Sequence, residues 1–321
     1  MAGGTALAWH SFEEQILGAE IASGKPQTPV APAISSAVIP KGKIKGLEIS
    51  RLICGGNMIG GWAHSRDLIY VSPLIKAYHT DEKILETFRL AERRGINTFF
   101  MTNPVSNHVK AAYRKEGGKL LWISDCGGQS DFKDAIKSSI DNGADAVYLQ
   151  GGICDRWVKD GKIKQVEAAM SFMKDQLVPC GLGAHCLETV RKCVQAGFDP
   201  DFWVKTLHKD GYWSATPEKN RGDFDEISGS NEHGRAHDNM WCTSAQETIA
   251  YMATLKKPWI AFKTLAAGAI HPRNAFQWCF ENGADFLCVG MFDFQIVENT
   301  AIAGKALEAV MQKGRWRPWM A

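Results

Sequence analysis

Residues 80–100 read TDEKILETFRLAERRGINTFF and contain one helix followed by one strand. Apolar residues of the first half recur every three or four positions, which predicts an amphipathic helix. Thr80 is the expected N-cap of this helix, and Gly95 is its expected stop. The run after Gly95 is short and apolar, as in a strand buried on both faces. The stretch therefore predicts the alternating pattern of an α/β fold.

The same alternation continues along the chain. Eight apolar runs lie at residues 50–56, 97–103, 119–126, 145–152, 178–185, 202–208, 258–268 and 285–291. Helix-like segments separate them, with Asp131 as a second expected N-cap and Gly143, Gly197 and Gly283 as further expected stops. Eight such repeats predict a single-domain (β/α)8 TIM barrel over residues 41–321, in preference to a doubly wound open sheet. Ile49 to Gly56 should form its first strand and Ala284 to Met291 its last.

Composition excludes several classes of protein. The chain has 321 residues and a formal net charge of +2, without a run of Lys or Arg, so it gives no indication of nucleic-acid binding. No apolar stretch is long enough to cross a membrane. Nine cysteines occur without a Cys-x-x-Cys pair, which favours buried free thiols over disulfides. Oligomeric state does not follow from these features.

Residues 1–40 form a predicted N-terminal extension. They comprise a small, apolar opening and a linker rich in Pro, Ala and Ser. The opening resembles the end of a twin-arginine export signal without its arginines. Both a cytoplasmic location and export to the periplasm by that route are compatible with this pattern.

Four stretches resemble the aldo-keto reductases. GLEISRLICGGNMIGG (46–61) is similar to that family's opening hairpin and first strand, and IAFKTLAAG (260–268) to its seventh strand. VGMFDFQIVEN (289–299) is similar to its last strand and following helix. Residues 80–100, quoted above, are likewise similar to its first helix and second strand. The resemblance implies a TIM barrel and NADPH-dependent carbonyl reduction.

The catalytic tetrad of that family is missing from this chain. MTNPVSN (101–107) stands where the family has its Asp and Tyr, Asp125 where it has Lys, and Gln150 where it has His. Reduction of a carbonyl needs a proton donor beside the carbonyl oxygen. We therefore expect weak or absent NADPH binding, and fold similarity alone does not transfer the activity.

Polar residues at the predicted strand ends mark the face where TIM barrels carry their chemistry. They are Asn57, Asn103, Asp125, Gln150, His185, His208, Lys263 and Asp293. His185 and His208 end neighbouring strands, and with Asp125 they predict a site for a divalent metal such as Zn, Mn or Fe. Gln150 would ligate or orient a bound water. The alternative is that each His is a hydrogen-bonded pocket residue without metal.

The loops supply candidate substrate-binding residues. Residues 209–243 form the longest loop, which predicts a lid over the mouth. The full set of expected contacts is Asn57, Asn103, Asp155, Arg156, Tyr212, Trp213, Trp241, Arg273 and Asp293. The aromatic members suit stacking on a sugar. Arg273, beside Pro272 at a predicted helix start, suits a phosphate or carboxylate, or else is a surface residue.

These features favour a metal-dependent isomerase, epimerase, hydratase or lyase acting on a small sugar or keto-sugar. Asp125, Gln150 and Lys263 are its expected catalytic residues. A divergent NADPH-dependent reductase with a relocated proton donor is the first alternative. A non-catalytic sugar-binding barrel is another. A minor alternative is an aldolase that uses Lys205 or Lys263 as a Schiff base.

Overall fold

The computed structural model describes residues 39–62, 70–102, 106–127, 131–224 and 239–321. The predicted extension lies outside these residues apart from Ile39 and Pro40, and Asn103 lies outside them as well. Residues 225–238, the middle of the expected lid, are likewise not described.

Eight parallel strands close into a barrel, as predicted. An antiparallel hairpin, β1 (Lys41–Ile44) and β2 (Leu47–Ser50), precedes them. The barrel strands are β3 (Leu52–Gly55), β4 (Thr98–Met101), β5 (Leu121–Ser124), β6 (Ala146–Leu149), β7 (Cys180–Ala184), β8 (Phe202–Thr206), β9 (Trp259–Phe262) and β10 (Phe286–Gly290). They pair in chain order, and β10 closes the barrel against β3. Each predicted apolar run contains one strand.

Ten α-helices lie within the described ranges. They are α1 (Val71–Tyr78), α2 (Asp81–Arg93), α3 (Asn107–Lys115), α4 (Phe132–Asp141), α5 (Gly151–Lys159), α6 (Ile163–Asp175), α7 (Leu187–Gln195), α8 (Ala245–Thr254), α9 (Pro272–Glu281) and α10 (Asp293–Lys313). Both expected N-caps are confirmed, because Thr80 accepts a hydrogen bond from the Lys83 amide and Asp131 accepts one from the Lys133 amide.

The first barrel strand begins three residues later than the sequence predicts. We expected it to start at Ile49, but Ile49 and Ser50 belong to β2 and pair with β1. Ile49 instead packs with Ile44 and Phe286 in the apolar cluster inside the barrel. The hairpin therefore supplies apolar side chains to the interior of the barrel.

Buried charge stabilises the end of the barrel where the strands begin. Asp285, just before β10, is fully buried, and its carboxylate lies 2.6 Å from Nη1 of Arg317. Arg51, just before β3, donates to the Asp285 carbonyl at 2.9 Å. Trp319 packs against Arg51 and Arg315, whose guanidinium carbons lie 3.8 and 3.7 Å from its ring centroid. This network ties the C-terminal segment to the barrel.

Two further expectations concern the whole chain. All nine cysteines are free, and eight of them are buried, in agreement with the predicted thiols. Among the helices in the described ranges, none is both long and apolar enough to span a membrane.

Candidate active site

The strand-end residues gather at the C-terminal mouth of the barrel. Asp125 directly follows β5, Gln150 follows β6, and His185 follows β7. Lys263 directly follows β9. Because the strands are parallel and neighbouring, their carboxyl ends open onto one face. The residues that the sequence predicts for catalysis therefore lie on the same side of the barrel.

Asp125 is held by three hydrogen bonds. Its Oδ2 accepts from the Thr102 hydroxyl at 2.6 Å, and its Oδ1 accepts from the Gly127 amide at 3.0 Å. The side chain of Gln150 also bonds to this carboxyl group. Burial raises the pKa of Asp125, and these bonds oppose the rise. The result is a fixed, mostly buried carboxyl group beside an amide, suited to hydrogen bonding with a polar ligand.

The close approach of Asp125 and Gln150 to residue 127 explains why that residue is a glycine. A Cβ atom on Gly127 would lie 3.1 Å from Nε2 of Gln150 and 3.3 Å from Oδ1 of Asp125. A larger residue would push the two polar side chains apart. Glycine at this position therefore preserves the contact between Asp125 and Gln150.

His185 forms a pair with a buried carboxylate from α5. Its Nδ1 lies 2.9 Å from Oδ2 of Asp155, and its backbone amide donates to the same oxygen at 2.8 Å. The other oxygen of Asp155 accepts from the Cys186 amide at 3.3 Å. Asp155 is fully buried, while the His185 side chain is 16% exposed. With Nδ1 held by Asp155, Nε2 is the ring nitrogen that remains for a ligand.

The charge state of His185 follows from its surroundings. Burial lowers its pKa most, Asp155 opposes this, and the positive charges of Lys263 and Lys205 lower it further. A pKa below the ordinary value of about 6.5 leaves the imidazole neutral at pH 7. With the Nδ1 proton directed at Asp155, Nε2 is a proton acceptor. The arrangement is that of a general base oriented by a carboxylate.

Aromatic rings flank His185 and Lys263. The Phe262 ring centroid lies 5.1 Å from that of His185. The Lys263 ammonium lies 4.2 Å from the Trp241 ring centroid, within the range of a cation–π contact. Trp241 is 7% exposed, whereas Trp213 is 91% exposed. Of the two predicted tryptophans, Trp241 is thus the one packed against a residue of the mouth.

The backbone that follows β9 adopts unusual conformations. Lys263, Ala266 and Ala267 have φ values of 57°, 46° and 53°, in the left-handed region that non-glycine residues rarely adopt. Gly268 follows with a φ of 93°. Such conformations cost free energy and are often found at ligand sites. This loop, with the Lys263 charge at its start, is a candidate anion site.

His208 has a different role from the one the sequence predicts. Its Nδ1 donates to the Lys209 carbonyl at 2.7 Å, and its Nε2 accepts from the amides of Trp241 and Cys242 at 3.0 and 2.9 Å. Both ring nitrogens are therefore occupied. No group of three or more His, Cys, Asp or Glu side chains in the described part of the chain is placed to hold a metal ion. His185, His208 and Asp125 do not fit the predicted metal centre, since His208 has no nitrogen left to coordinate.

Lys205 lies within β8 (Phe202–Thr206). Its Cα is in register with those of Ala184 and Ala261, which pack in the layer between strands and helices. It is 1% exposed, and its ammonium donates to the Thr206 hydroxyl at 2.7 Å. This burial does not favour a Schiff base at Lys205, because a carbonyl substrate would have to reach a fully enclosed amine.

Other predicted substrate contacts are distributed over the surface. Arg156 is exposed on α5, and Arg273 pairs with Glu298 at 3.1 Å with a side chain that is 70% exposed. Asp293, in the first turn of α10, pairs with Lys83 and accepts from the Tyr78 hydroxyl at 2.5 Å. The described geometry does not bring Arg156 or Arg273 into contact with the Asp125 or His185 groups. Asn57 is exposed after β3.

Tyr212 lies close to His208 rather than out on the rim. Its hydroxyl donates to the Asn239 carbonyl at 2.7 Å, and its ring centroid is 5.7 Å from that of His208. Tyr212 thus helps to hold the two described ends of the long loop together.

Sequence reasoning missed several groups of the mouth. Thr102, immediately after β4, binds Asp125. Tyr148 lies inside the barrel, where burial, and then the charge of Asp125, raise its pKa. A stack of His79, Phe292 and Phe294 lies where β10 ends, with neighbouring ring centroids 5.2 and 5.1 Å apart. Phe294 is 67% exposed. The strand-end position of Thr102 is a signal that could have identified it.

Comparison with known proteins supports the fold. No family model matches the sequence. No curated protein matches it either. Two solved structures from Pseudomonas aeruginosa, both described provisionally as aldo-keto reductases, resemble the chain. One has a TM-score of 0.54 and 18% identity over 85% of this chain and 99% of its own. The other has a TM-score of 0.51 and 17% identity over 83% and 95%. At these identities the similarity shows a shared TIM-barrel fold and leaves the family and the activity open.

Proposed function

We propose that the protein is an oxidoreductase that transfers hydride between a nicotinamide cofactor and a small polar hydroxyl or carbonyl compound. The observation that carries the proposal is the His185–Asp155 pair at the mouth of the barrel. It would supply an acid–base group on a chain in which the sequence predicts that the aldo-keto reductase tetrad is missing. This revises the metal-dependent chemistry expected from the sequence.

The chain's own residues fit a nicotinamide cofactor in two places. The loop from Lys263 to Gly268 combines a positive charge with left-handed backbone, which suits a diphosphate. The exposed face of Phe294, at the end of an aromatic stack, suits a planar base. The first turn of α10 is a place where a further phosphate of the cofactor could bind, but the carboxylate of Asp293 occupies it. Both NADPH and NADH therefore need to be compared.

His185 moves the proton in this proposal. When bound, the oxidised cofactor supplies a hydride acceptor for the carbon that carries the substrate hydroxyl. Nε2 of neutral His185 takes the hydroxyl proton, and the buried carboxylate of Asp155 stabilises the resulting imidazolium through Nδ1. Because the pKa of His185 is lowered, its neutral form predominates at pH 7, and oxidation is the favoured direction of assay.

The remaining polar groups orient the substrate. Asp125, Gln150 and Thr102 present a connected set of hydrogen-bonding groups on the neighbouring strand ends. Trp241 and Phe262 provide apolar faces nearby. Polar groups on one side and aromatic rings on the other suit a small polyhydroxylated compound such as a sugar.

The experiment combines cofactor binding with turnover. NADPH and NADH are titrated by fluorescence, and NADP⁺- or NAD⁺-dependent oxidation is measured over a panel of sugars, sugar alcohols and hydroxy acids. His185→Gln and Asp155→Asn should lower kcat by about 10²–10⁴-fold, the usual scale of general base catalysis. His108→Gln is the matched control, because the His108 side chain is 70% exposed and pairs with Asp81 at the surface. Absence of cofactor binding and of any oxidation would overturn the proposal.

A second candidate is a cofactor-independent isomerase of the same class of substrate. It is favoured by one observation: burial raises the pKa of Asp125 and lowers the pKa of His185. Groups with such shifts can act as an acid and a base on one substrate. Exchange of substrate hydrogen with solvent in the absence of any nicotinamide would select this candidate, and its absence would reject it.

A further inference from the structure

His208 is a buried histidine whose hydrogen bonds specify one protonation state. Its Nδ1 lies 2.7 Å from the Lys209 carbonyl, so that nitrogen carries the proton. Its Nε2 lies 3.0 and 2.9 Å from the amides of Trp241 and Cys242, so that nitrogen is an acceptor. Only a neutral imidazole with its proton on Nδ1 provides both functions. The residue is fully buried.

A second tether joins the same segment to the end of β8. The Thr206 hydroxyl oxygen lies 2.9 Å from the carbonyl oxygen of Trp241 and 2.9 Å from that of His185. Lys205 donates to this hydroxyl at 2.7 Å, which directs the hydroxyl proton toward a carbonyl. The backbone of Trp241 and the backbone of the proposed base therefore share one anchoring residue.

The two tethers determine where the Trp241 ring lies. The backbone of Trp241 is bound on both sides at the end of β8, while its ring contacts Lys263 at the end of β9. The ring is 7% exposed. Trp241 thus bridges two neighbouring strand ends, and its position depends on groups outside its own segment of chain.

We propose that His208 is a positioning residue, which fixes the Trp241 ring against Lys263 and so forms one wall of the mouth before a substrate binds. The positioning of Trp241 by His208 does not depend on the proposed function. Only the expected effect on substrate binding rests on it. His208 makes no contact with the reacting atoms, and its effect passes through Trp241. A barrel that lost this contact would keep the His185–Asp155 pair but would lack that wall.

Hydrogen exchange tests the tether directly. In His208→Ala, the amides of Trp241 and Cys242 lose their acceptor, and we expect their exchange, read on peptides spanning residues 239–243, to become at least about tenfold faster. In His208→Gln, the side-chain oxygen replaces Nε2 as acceptor, and exchange should stay near the wild-type rate. Peptides from α9 serve as the control for an intact fold. If His208→Ala does not fold, His208→Asn is used, because its shorter side chain cannot reach both amides.

Steady-state kinetics test the consequence for substrate. His208→Ala should raise KM by about tenfold and leave kcat within about twofold, the pattern expected when ground-state binding is lost. His208→Gln should restore KM. Unchanged amide exchange in His208→Ala would overturn the tether, and faster exchange with unchanged KM would overturn the positioning role. If the wild-type protein shows no oxidoreductase activity, the proposed function fails and the exchange experiment still decides whether the tether exists.

Discussion

The stability of the protein should depend on pH through His208. The fold lowers the pKa of this residue from 6.5 to about 4, chiefly by burial, and only the neutral ring can accept hydrogen bonds from Trp241 and Cys242. The unfolded chain takes up its proton near pH 6.5. Between pH 6.5 and 4 the unfolded state therefore binds more protons than the folded state, and the free energy of unfolding falls as pH falls. The contribution is fully present above pH 6.5.

The magnitude follows from the two pKa values. A difference between 6.5 and about 4 corresponds to about 3 kcal/mol, at about 1.4 kcal/mol for each pH unit. Other groups titrate in the same range, among them Asp125, whose raised pKa acts in the opposite direction. A comparison with a variant that lacks only the His208 proton is therefore needed. His208→Gln keeps an acceptor for the two amides and does not titrate.

The assay is urea denaturation of wild type and His208→Gln at pH 7.5, 6.5, 5.5 and 4.5. The free energy of unfolding of wild type should fall relative to that of the variant by about 2.5 kcal/mol between the highest and lowest pH, because pH 4.5 is still above the pKa of the folded state. His108→Gln, a change at an exposed histidine, should follow wild type. Parallel curves for wild type and His208→Gln would show that His208 is not held neutral by the fold, and the reasoning would be refuted.

Three other changes test separate parts of the structure. Gly151→Ala would place a Cβ 3.1 Å from Cε1 of His185, so kcat should fall while the fold stays intact. Gly152→Ala is the control: its added Cβ would have its nearest neighbour 3.9 Å away, and kcat should change little. The rate of oxidation should fall as pH falls through the lowered pKa of His185, and an acidic fall in the stopped-flow rate that persists unchanged in the residual activity of His185→Gln would contradict its role as base. Arg317→Met should lower the free energy of unfolding by about 3–5 kcal/mol because it removes the 2.6 Å partner of the buried Asp285 carboxylate, which then keeps Arg315 only at 3.7 Å. Arg89→Met, at an exposed ion pair, should cost less than about 1 kcal/mol. Thermal or urea unfolding measures the loss of stability in both variants, and equal losses would contradict the argument that burial makes the Arg317 pair more important.

Local patterns were sufficient to predict most of the fold. The N-caps Thr80 and Asp131 bond within three residues of themselves, so their sequence neighbours already contain the information. The barrel strands lie in mostly apolar runs because nearly all of their residues are buried on both faces. The start of β3 could not be predicted in this way. Ile49 is apolar whether it lies in a barrel strand or in the hairpin, and only its pairing with Gly42 distinguishes the two.

The roles of the two histidines could not be predicted, because their partners come from distant segments. His185 bonds to Asp155, thirty residues earlier in the chain. His208 bonds to the amides of Trp241 and Cys242, which lie 33 and 34 residues later. Both residues end neighbouring strands, and strand order alone suggests a shared ion. Their actual partners separate them into a candidate base and a tether.

Buried charges divide the barrel into two ends with different physical roles. At the end where the strands begin, Asp285 is enclosed by Arg317 and Arg51, and its carboxylate and carbonyl are bonded within the protein. Such a network has no ligand-facing group and acts on stability. At the mouth, the carboxylate of Asp155 is equally buried, but it holds a histidine that is partly exposed. The buried charge is there connected to a group that can exchange a proton with a ligand. A change at the first end should therefore alter unfolding before it alters catalysis, and a change at Asp155 should do the reverse.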